Sequence, residues 1–317
     1  MKNVTTILAC DVGGTRIKLG LVRGERLRSR CEIAARAGEG LAPALVRIAK
    51  AARSLCHRAG VRLGDLDGFG FAFPGIVEPV TERILSTPAG KFDDARTLDL
   101  PRLIERLTGL RTLVCNDANA ALAGEWRLGA ARGCHSVVMM TLGTGIGSSV
   151  IIEGVPLRGQ HGQAGCLGGH LLANVDGHTC RCGNLGCAES EASTWALPAQ
   201  ARAHPSFRGS QLARGKTLDY GVVFRAAARG DVLAVELRNR AILVWAATLV
   251  SLIHAYDPEC VVVGGGIMSS GAVILPRLRR YVARHAWTPW GRTKVKPAAL
   301  GNAAGMLGAA WLFAERS

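Results

Sequence analysis

Long hydrophobic runs are missing from this 317-residue sequence. The longest, Ala241 to Ile253, is shorter than the roughly 20 residues that a membrane-spanning helix needs, so it predicts a buried helix. The opening residues, MKNVTTILACDVGG, reach Asp11 before a secretory leader could place its apolar segment and cleavage site. We therefore expect no membrane partner and a cytoplasmic location.

Acidic residues are also scarce: 24 Asp and Glu stand against 39 Lys and Arg, a formal net charge of +15. An excess of positive charge is typical of proteins that bind nucleic acids, acidic surfaces or anionic small molecules. The basic residues are scattered rather than gathered in one long run, and aromatic residues make up 5% of the chain. We therefore expect no nucleic-acid partner, and the charge by itself does not choose between the other two.

Two common nucleotide-binding motifs are absent. The glycine segments match neither G-x-G-x-x-G nor G-x-x-x-x-G-K-[ST], which disfavours a dinucleotide dehydrogenase and a P-loop NTPase. Forty Gly against twelve Pro, with 48% hydrophobic residues, indicate a folded chain with many close backbone approaches. The length suits two domains with a cleft, and alternating helical and extended patterns (41–59, then 68–73) indicate an α/β fold.

The sequence does contain a repeat of two glycine hairpins. In each copy a β-rich run, a glycine turn and a second β-rich run follow one another, and Asp11-Val-Gly-Gly-Thr15 aligns with Thr141-Leu-Gly-Thr-Gly145. Backbone N–H groups of such tips can point at phosphate oxygens, and Asp11 can hold Mg²⁺ or its water shell. Ordinary tight hairpins are the alternative. We predict that phosphate and Mg²⁺ are bound by Asp11, Gly13, Gly14, Thr15, Thr144 and Gly145.

An Asn116-Asp117 pair stands where a short strand, 113–115, gives way to a helical pattern at 118–127. A carboxylate at such a strand end, facing a phosphate loop, is well placed to accept a proton during phosphoryl transfer. Capping of the helix by either residue is the alternative. A further apolar strand, 260–263, ends in three glycines, where the backbone of Gly265 and Gly266 can approach a nucleotide.

Three of the ten cysteines fall in CRCGNLGC, at Cys180, Cys182 and Cys187. Thiolates this close, with glycines between them, can wrap one tetrahedral metal ion, and a group of reduced structural cysteines is the alternative. His178 is the nearest histidine in sequence and His170 stands ten residues before Cys180.

In their order and spacing, DVGGTRIKLG, NDANAALAGE, LGTGIG and CRCGNLGCAE resemble the ROK family of sugar kinases and related repressors, over about residues 7–310. The resemblance implies a two-lobed, actin-like (ribonuclease H-like) α/β fold with ATP in the cleft and a sugar beneath its γ-phosphate. It implies an N-terminal lobe of residues 1–117 and a C-terminal lobe of residues 118–317, with a last helix, about 301–317, able to pack back on the first lobe. It also implies a homodimer.

The same resemblance implies roles for individual residues. Asp117 would be the general base, and the adenosine segment would include Gly265 and Gly266. The spacing of the family's zinc-binding histidine matches His170, with His178 in reserve, and the Zn²⁺ would be structural because four protein ligands leave no open position. The sugar would contact Gly75, Asn116, Asp117, His170 and Glu189.

One segment departs from the family pattern. Where the hexose kinases usually carry Ala-Gly-Glu-x-Gly-His, this chain has Ala-Gly-Cys166-Leu167-Gly-Gly-His170, so a sugar-binding glutamate is absent. This departure puts glucose specificity in question and leaves the kinase chemistry in place. The prediction is ATP-dependent phosphorylation of a sugar hydroxyl, and the alternative is a sugar-binding or regulatory ROK protein without efficient kinase activity.

Overall fold

The computed structural model describes residues 4–88 and 90–316. The chain divides into two compact units. The first takes in the described residues of Met1–Gly133, Pro156–Ala164 and Ala299–Ser317, and the second consists of Cys134–Val155 and Gly165–Ala298. The division differs from the predicted boundary after residue 117, since the segment 118–133 belongs to the first unit.

The strands are β1 (Thr6–Val12), β2 (Arg16–Arg23), β3 (Arg26–Ala34), β4 (Gly68–Phe73), β5 (Ile76–Val77), β6 (Ile84–Ser86), β7 (Thr112–Asn116), β8 (Val137–Leu142), β9 (Ile146–Ile152), β10 (Val155–Pro156), β11 (Cys260–Gly264) and β12 (Lys294–Pro297). The α-helices are α1 (Leu41–Arg58), α2 (Leu100–Thr108), α3 (Asp117–Leu128), α4 (Ala188–Ala192), α5 (Leu197–Ala203), α6 (Tyr220–Ala228), α7 (Val232–Tyr256), α8 (Gly271–His285) and α9 (Ala304–Arg316).

The first unit is built on a five-stranded sheet in the order β3-β2-β1-β4-β7. β1 and β2 form an antiparallel hairpin, and β1, β4 and β7 run parallel, so their carboxyl ends lie at one edge of the sheet. On one face α1 and α2 cover the fully buried Phe69, Phe71 and Phe73. This arrangement brings the end of β1 and the end of β7, where Asp11 and Asn116 stand, to the same edge.

The other face of that sheet is covered by α3 and α9, which lie unusually close together. A Cβ added at Gly308 would lie 1.7 Å from the backbone oxygen of Ala120, and one at Gly124 would lie 2.4 Å from that of Ala304. The buried Glu125 carboxylate accepts hydrogen bonds from the backbone N–H groups of Ala130, Ala299 and Leu300. These contacts hold α3 and α9 in one unit although about 180 residues separate them.

The second unit repeats the plan with the sheet order β10-β9-β8-β11-β12. β8 and β9 form an antiparallel hairpin, and β8, β11 and β12 run parallel. The predicted buried helix is part of α7, where Trp245 is fully buried and packs edge-on against Tyr220. Among the described residues, helices long and apolar enough to cross a membrane are not found.

Candidate functional site

The tip of the β1–β2 hairpin holds the first predicted phosphate loop. The N–H of Gly13 donates to the backbone oxygen of Arg16, 2.9 Å away. A Cβ at Gly14 would lie 2.6 Å from Nζ of Lys91, so this lysine lies directly over the loop. Thr15 is exposed at the turn. A glycine backbone under an ammonium group is an arrangement suited to anions.

Asp11 stands at the end of β1, opposite Lys18 of β2. Its Oδ2 atom is 3.1 Å from Nζ of Lys18, and both side chains are largely buried. A Cβ at Gly305 of α9 would lie 2.9 Å from the Asp11 carboxyl carbon, so this glycine makes room for the carboxylate. Close packing therefore explains why glycine stands at position 305, as it does at position 308.

Asn116 ends β7 and caps α3. Its Oδ1 atom accepts the N–H of Asn119 at 3.0 Å, and its Nδ2 atom donates to the backbone oxygen of Gly75 at 2.9 Å. Gly75 cannot carry a side chain, because a Cβ there would lie 2.3 Å from the oxygen of Ser86. Asn116 therefore does cap α3, which was the alternative role considered for it. The same side chain also bonds both to Gly75 of the proline-glycine loop and to the neighbouring Asp117.

Asp117 is the first residue of α3, and its Oδ1 atom accepts the N–H of Ala118 at 2.8 Å. Burial, and to a lesser degree the like charge of Asp11, raise the pKa of this carboxyl to about 7. A carboxylic acid that titrates near neutral pH can take up and release a proton under cellular conditions, which is what general-base catalysis requires.

The tip of the β8–β9 hairpin is the second predicted phosphate loop, and it is closed by an N–H donated from Gly143 to the oxygen of Gly145 at 3.0 Å. The side chain of Thr144 is exposed. A Cβ at Gly145 would lie 2.4 Å from Oε2 of Glu189, the same oxygen that accepts the N–H of Ile146 at 2.8 Å. Oε1 of Glu189 accepts from Nε1 of Trp195 at 3.0 Å. Glu189 is thus held against the loop, and each oxygen retains a lone pair for a further donor.

The glycine segment after β11 lies beside this second loop. Gly265 has a φ of +94°, and a Cβ there would lie 2.3 Å from the backbone oxygen of Leu142, the last residue of β8. Gly266 has open space around its Cα within the second unit. Gly265 is therefore required by backbone conformation and packing, whereas Gly266 leaves an uncovered stretch of backbone.

His170, Cys180, Cys182 and Cys187 bring one ligand atom each within 4.8 Å of one another. Sγ of Cys180 lies 3.5 Å from Nδ1 of His170, and Sγ of Cys182 lies 3.7 Å from Sγ of Cys187. In tetrahedral zinc sites, bond lengths of about 2.3 Å to sulfur and 2.0 Å to nitrogen separate the ligand atoms by roughly 3.5 to 3.8 Å. The four residues therefore fit Zn²⁺.

His170 reaches this cluster because its loop is anchored on β9. Ser148 accepts the N–H of Gly168 at 2.7 Å and donates to the oxygen of Gly165 at 2.6 Å. Gly169 lies so close to β9 that a Cβ would be 1.9 Å from the oxygen of Ile146.

His178, the reserve candidate, is engaged elsewhere. Its Nδ1 atom and its backbone N–H lie 2.8 and 2.7 Å from Oε1 of Glu191, a fully buried carboxylate. The other Glu191 oxygen accepts from Arg240 at 2.5 Å and Asn174 at 3.3 Å. Burial alone would raise the pKa of Glu191, but the hydrogen bonds from His178, Arg240 and Asn174 lower it to about 2. Among these two histidines, His170 is the one placed to bind a metal.

A sequence profile described as the ROK family matches residues 7–316. The chain belongs to the ROK family. A glucokinase of Thermotoga maritima is 30% identical over 317 residues, which cover 98% of each chain. A ROK hexokinase from Thermus thermophilus has a TM-score of 0.78 and 33% identity, over 99% of this chain and 100% of that one. A ROK glucokinase from Streptomyces griseus, solved with glucose and AMPPNP, has a TM-score of 0.81 and 32% identity, over 97% and 98%. The predicted actin-like α/β fold class is confirmed.

In this ROK protein the residues that replace the family glutamate are Cys166 and Leu167, both half-buried. The backbone oxygen of Leu167 accepts the N–H of His170 at 2.8 Å, within the short helical turn that places the histidine. This turn forms without the glutamate, so the loop before His170 keeps its conformation. The chain differs from the family pattern here by the lack of one carboxylate.

Sequence reasoning missed three contributions to the site. The first is Lys91, whose position over Gly14 could not be predicted because it belongs to no recognisable motif. The guanidinium of Arg181 stacks 4.3 Å above the ring of Trp195, which links the cysteine segment to Glu189. Glu191, two residues beyond Glu189, is the third, because a glutamate in a short helix is usually exposed. Two glutamates in the five residues of α4 were the available signal, but so short a helix does not show which of them is buried.

Proposed function

We propose that this protein is an ATP-dependent carbohydrate kinase that transfers the γ-phosphoryl group of ATP to a sugar hydroxyl, with a hexose as the first candidate. The observation that carries the proposal is Asp117: a carboxyl group with a pKa of about 7, at the start of α3, in the unit that also holds the Gly13–Gly14 loop. The glucokinase relatives and the ROK glucokinase solved with glucose and AMPPNP support it.

In the proposed reaction the Asp117 carboxylate takes the proton of the sugar hydroxyl as its oxygen attacks the γ-phosphorus. The bond from that phosphorus to the ADP oxygen breaks, and the proton remains on Asp117 until solvent removes it. Asn116 orients the sugar and, through its hydrogen bond to Gly75, fixes the proline-glycine loop. A base of this kind contributes about 10²- to 10⁴-fold in rate.

Phosphate binding is assigned to the two hairpin tips. Gly14 and Thr15 of the first unit, and Thr144 and Gly145 of the second, would donate N–H and hydroxyl groups to phosphate oxygens. The N–H of Gly13 is bonded to the oxygen of Arg16, so Gly13 would contribute by closing the hairpin tip without a side chain between the loop and the phosphate. Asp11, whose Oδ2 is paired with Lys18, has its other oxygen available to hold Mg²⁺ or a water of its shell. Gly265 and Gly266 would lie against the adenosine.

We assign structural Zn²⁺ to His170, Cys180, Cys182 and Cys187, on the distances already given. Four protein ligands leave no position for a reacting water, so the ion would stabilise the fold of the 170–187 segment. The ion would hold the His170 ring in place directly. It would also hold the Glu189 carboxylate, because Arg181 of the cysteine segment stacks on Trp195, which donates to Glu189. We assign both His170 and Glu189 to sugar binding. We further propose a homodimer, as the family resemblance implies, and separately a cytoplasmic location.

The experiment is ADP release by the zinc-replete protein with ATP and Mg²⁺ across hexoses and N-acetylhexosamines. Asp117→Asn should reduce sugar-stimulated turnover by about 10²-fold or more while ATP binding is retained. Asp99→Asn, a substitution at the N-cap of α2 in the same unit, is the matched control and should be active. Wild-type turnover in Asp117→Asn would rule out the assignment.

The second candidate is a sugar-binding or regulatory ROK protein without efficient kinase activity. The observation that favours it is the lack of a carboxylate at Cys166 and Leu167, since the loss of a charge-assisted hydrogen bond weakens sugar binding by about 1.5 to 3 kcal/mol. Sugar binding in calorimetry, without turnover on any panel sugar, would favour this candidate.

A further inference from the structure

Two cysteine side chains outside the zinc ligand set lie side by side in the second unit. Sγ of Cys134 is 3.5 Å from Sγ of Cys260, although 126 positions separate the two residues in the sequence. Neither belongs to the cluster that we assign to Zn²⁺, and the proposed phosphoryl transfer uses neither. A disulfide bond is about 2.05 Å long, so each sulfur would have to move by only about 0.7 Å to form one.

The backbone next to the two cysteines holds the sulfur atoms together. Cys260 is the first residue of β11, and the pairing of β11 with β8 begins at this residue. The carboxylate of Glu259 accepts the N–H groups of His135 and Ser136, and the N–H of Glu259 donates to the oxygen of Ser136 at 3.0 Å. Three hydrogen bonds thus join the neighbours of one cysteine to the neighbour of the other. Two groups held in contact in this way have a high effective concentration toward each other.

The two thiols differ in their exposure. Cys134 is partly exposed, so a small reagent can approach it from solvent, whereas Cys260 is fully buried. Burial, together with the neighbouring Cys134 thiol, raises the pKa of Cys260 to about 12, so Cys260 keeps its proton at neutral pH. Cys134 is therefore the thiol that a small oxidant meets first, and Cys260 is the thiol placed to react with the product.

The pair lies away from the segment assigned to adenosine. Cys260 begins β11, whereas Gly265 and Gly266 follow the end of that strand. Four residue steps along β11 span about 13 Å. Cys134 is the first residue of the second unit, where the chain arrives from the first. A bond between the two cysteines would therefore join this point of entry to the strand that leads to the adenosine segment.

We propose that Cys134 and Cys260 are an oxidation site, at which hydrogen peroxide produces a reversible disulfide bond within one chain. In the first step the Cys134 sulfur attacks one peroxide oxygen and the O–O bond breaks, which gives a sulfenic acid and one water. The Cys260 sulfur then attacks the Cys134 sulfur, the S–O bond breaks, and the departing hydroxyl takes the Cys260 proton as a second water.

In sum, two thiols are oxidised to a disulfide and one peroxide is reduced to two waters. The nearby Cys260 intercepts the sulfenic acid before further peroxide can convert it to an irreversible product. A small thiol reverses the reaction by thiol–disulfide exchange, as is usual for disulfides of reducing compartments.

The test is peptide mass spectrometry of the full-length, zinc-replete protein after reduction, removal of the reductant, treatment with hydrogen peroxide and alkylation of the remaining thiols. We expect a linked pair of peptides that contains Cys134 and Cys260 and is lighter than the two reduced peptides by two hydrogens. A thiol reductant should restore both thiols. Zinc content is measured before and after the treatment, so that oxidation of the ligand cysteines is detected separately.

Variants identify the two steps. In Cys260→Ser the sulfenic acid at Cys134 has no partner, so dimedone, which captures sulfenic acids, should label Cys134 at least about 10-fold more than in the wild type. Cys134→Ser should form no linked peptide. Cys31→Ser, which removes a half-buried thiol of β3 in the first unit, is the matched control and should form the disulfide as the wild type does. If Cys260→Ser does not fold, Cys260→Ala replaces it.

Three outcomes would overturn the proposal. These are the absence of the linked peptide, dimedone labelling of Cys134 that is equal in the wild type and Cys260→Ser, and a disulfide that joins Cys134 mainly to a second chain. The measurement does not depend on sugar-stimulated turnover, so failure of the kinase proposal and failure of this one are distinguishable.

Discussion

The side-chain amide of Asn116 joins two backbones: it accepts the N–H of Asn119 and donates to the oxygen of Gly75, 2.9 Å away. One residue thereby starts the helix that carries Asp117 and fixes the loop that we assign to the sugar. The two bonds are made by different atoms of the amide, so substitutions can separate them.

Asn116→Ala removes both bonds and should lower the free energy of unfolding by about 1 kcal/mol through loss of the cap. Asn116→Asp retains a capping oxygen and cannot donate to Gly75, so it should keep stability and raise KM for the sugar. Denaturant unfolding and sugar-dependent kinetics measure the two effects. Equal KM in wild type and Asn116→Asp would show that the Gly75 bond has no role in the site.

The pH dependence of kcat/KM should follow the ionisation of Asp117. Because the pKa of this group is raised to about 7, the base is protonated and inactive below that pH and ionised above it. Activity should therefore rise as pH increases through about 7. The like charge of Asp11 contributes to the raised pKa, so in Asp11→Asn the midpoint of the residual activity should move to lower pH. A flat profile from pH 5.5 to 8.5 would contradict the assignment.

Zinc content should depend on His170 and not on His178. His170→Ala loses a ligand and should bind less than one Zn²⁺ per chain, whereas His178→Ala keeps all four ligand atoms. Removal of the metal with a chelator should lower the melting temperature of the wild type, since metal binding contributes to folding. Atomic absorption after dialysis measures the content, and full occupancy in His170→Ala would disprove the ligand set.

Glu191→Gln should destabilise the protein, because it breaks a buried network with Arg240 and His178. The folded-state pKa of about 2 lies below the ordinary value of 4.5, so this carboxylate stabilises the fold above pH 4.5. That contribution, about 3 kcal/mol, is lost as pH falls from 4.5 toward 2.

The difference in unfolding free energy between wild type and Glu191→Gln should therefore shrink over that pH range. Glu236→Gln, an exposed substitution in the same unit, is the control and should have little effect. A pH-independent difference would show that the loss comes from packing alone.

Lys91 should contribute to the binding of ATP, since its ammonium group lies over Gly14. Lys91→Met should raise KM for ATP by about 10-fold, the value of one charge-assisted hydrogen bond. Lys50→Met, on the exposed side of α1, should leave KM unchanged. Equal KM in both variants would show that Lys91 makes no contact with the phosphates.

The local patterns of the sequence were sufficient for much of the fold. The predicted helix at 41–59 is α1, the strand at 68–73 is β4, and the strand at 260–263 is β11 with one more residue. Both glycine hairpins were found, since their alternation and tight turns are properties of neighbouring residues. These features depend on contacts within a few residues, which one sequence displays.

Tertiary structure alone decided the remainder. Only the folded chain brings Lys91 to Gly14, sets Arg240 beside Glu191, and places α9 against α3 through Gly308. Sequence spacing offered both His170 and His178 beside the cysteines, and the anchoring of the 165–170 loop on Ser148 selected the first. Such contacts join residues tens to hundreds of positions apart, and their geometry depends on how sheets and helices pack rather than on any local pattern.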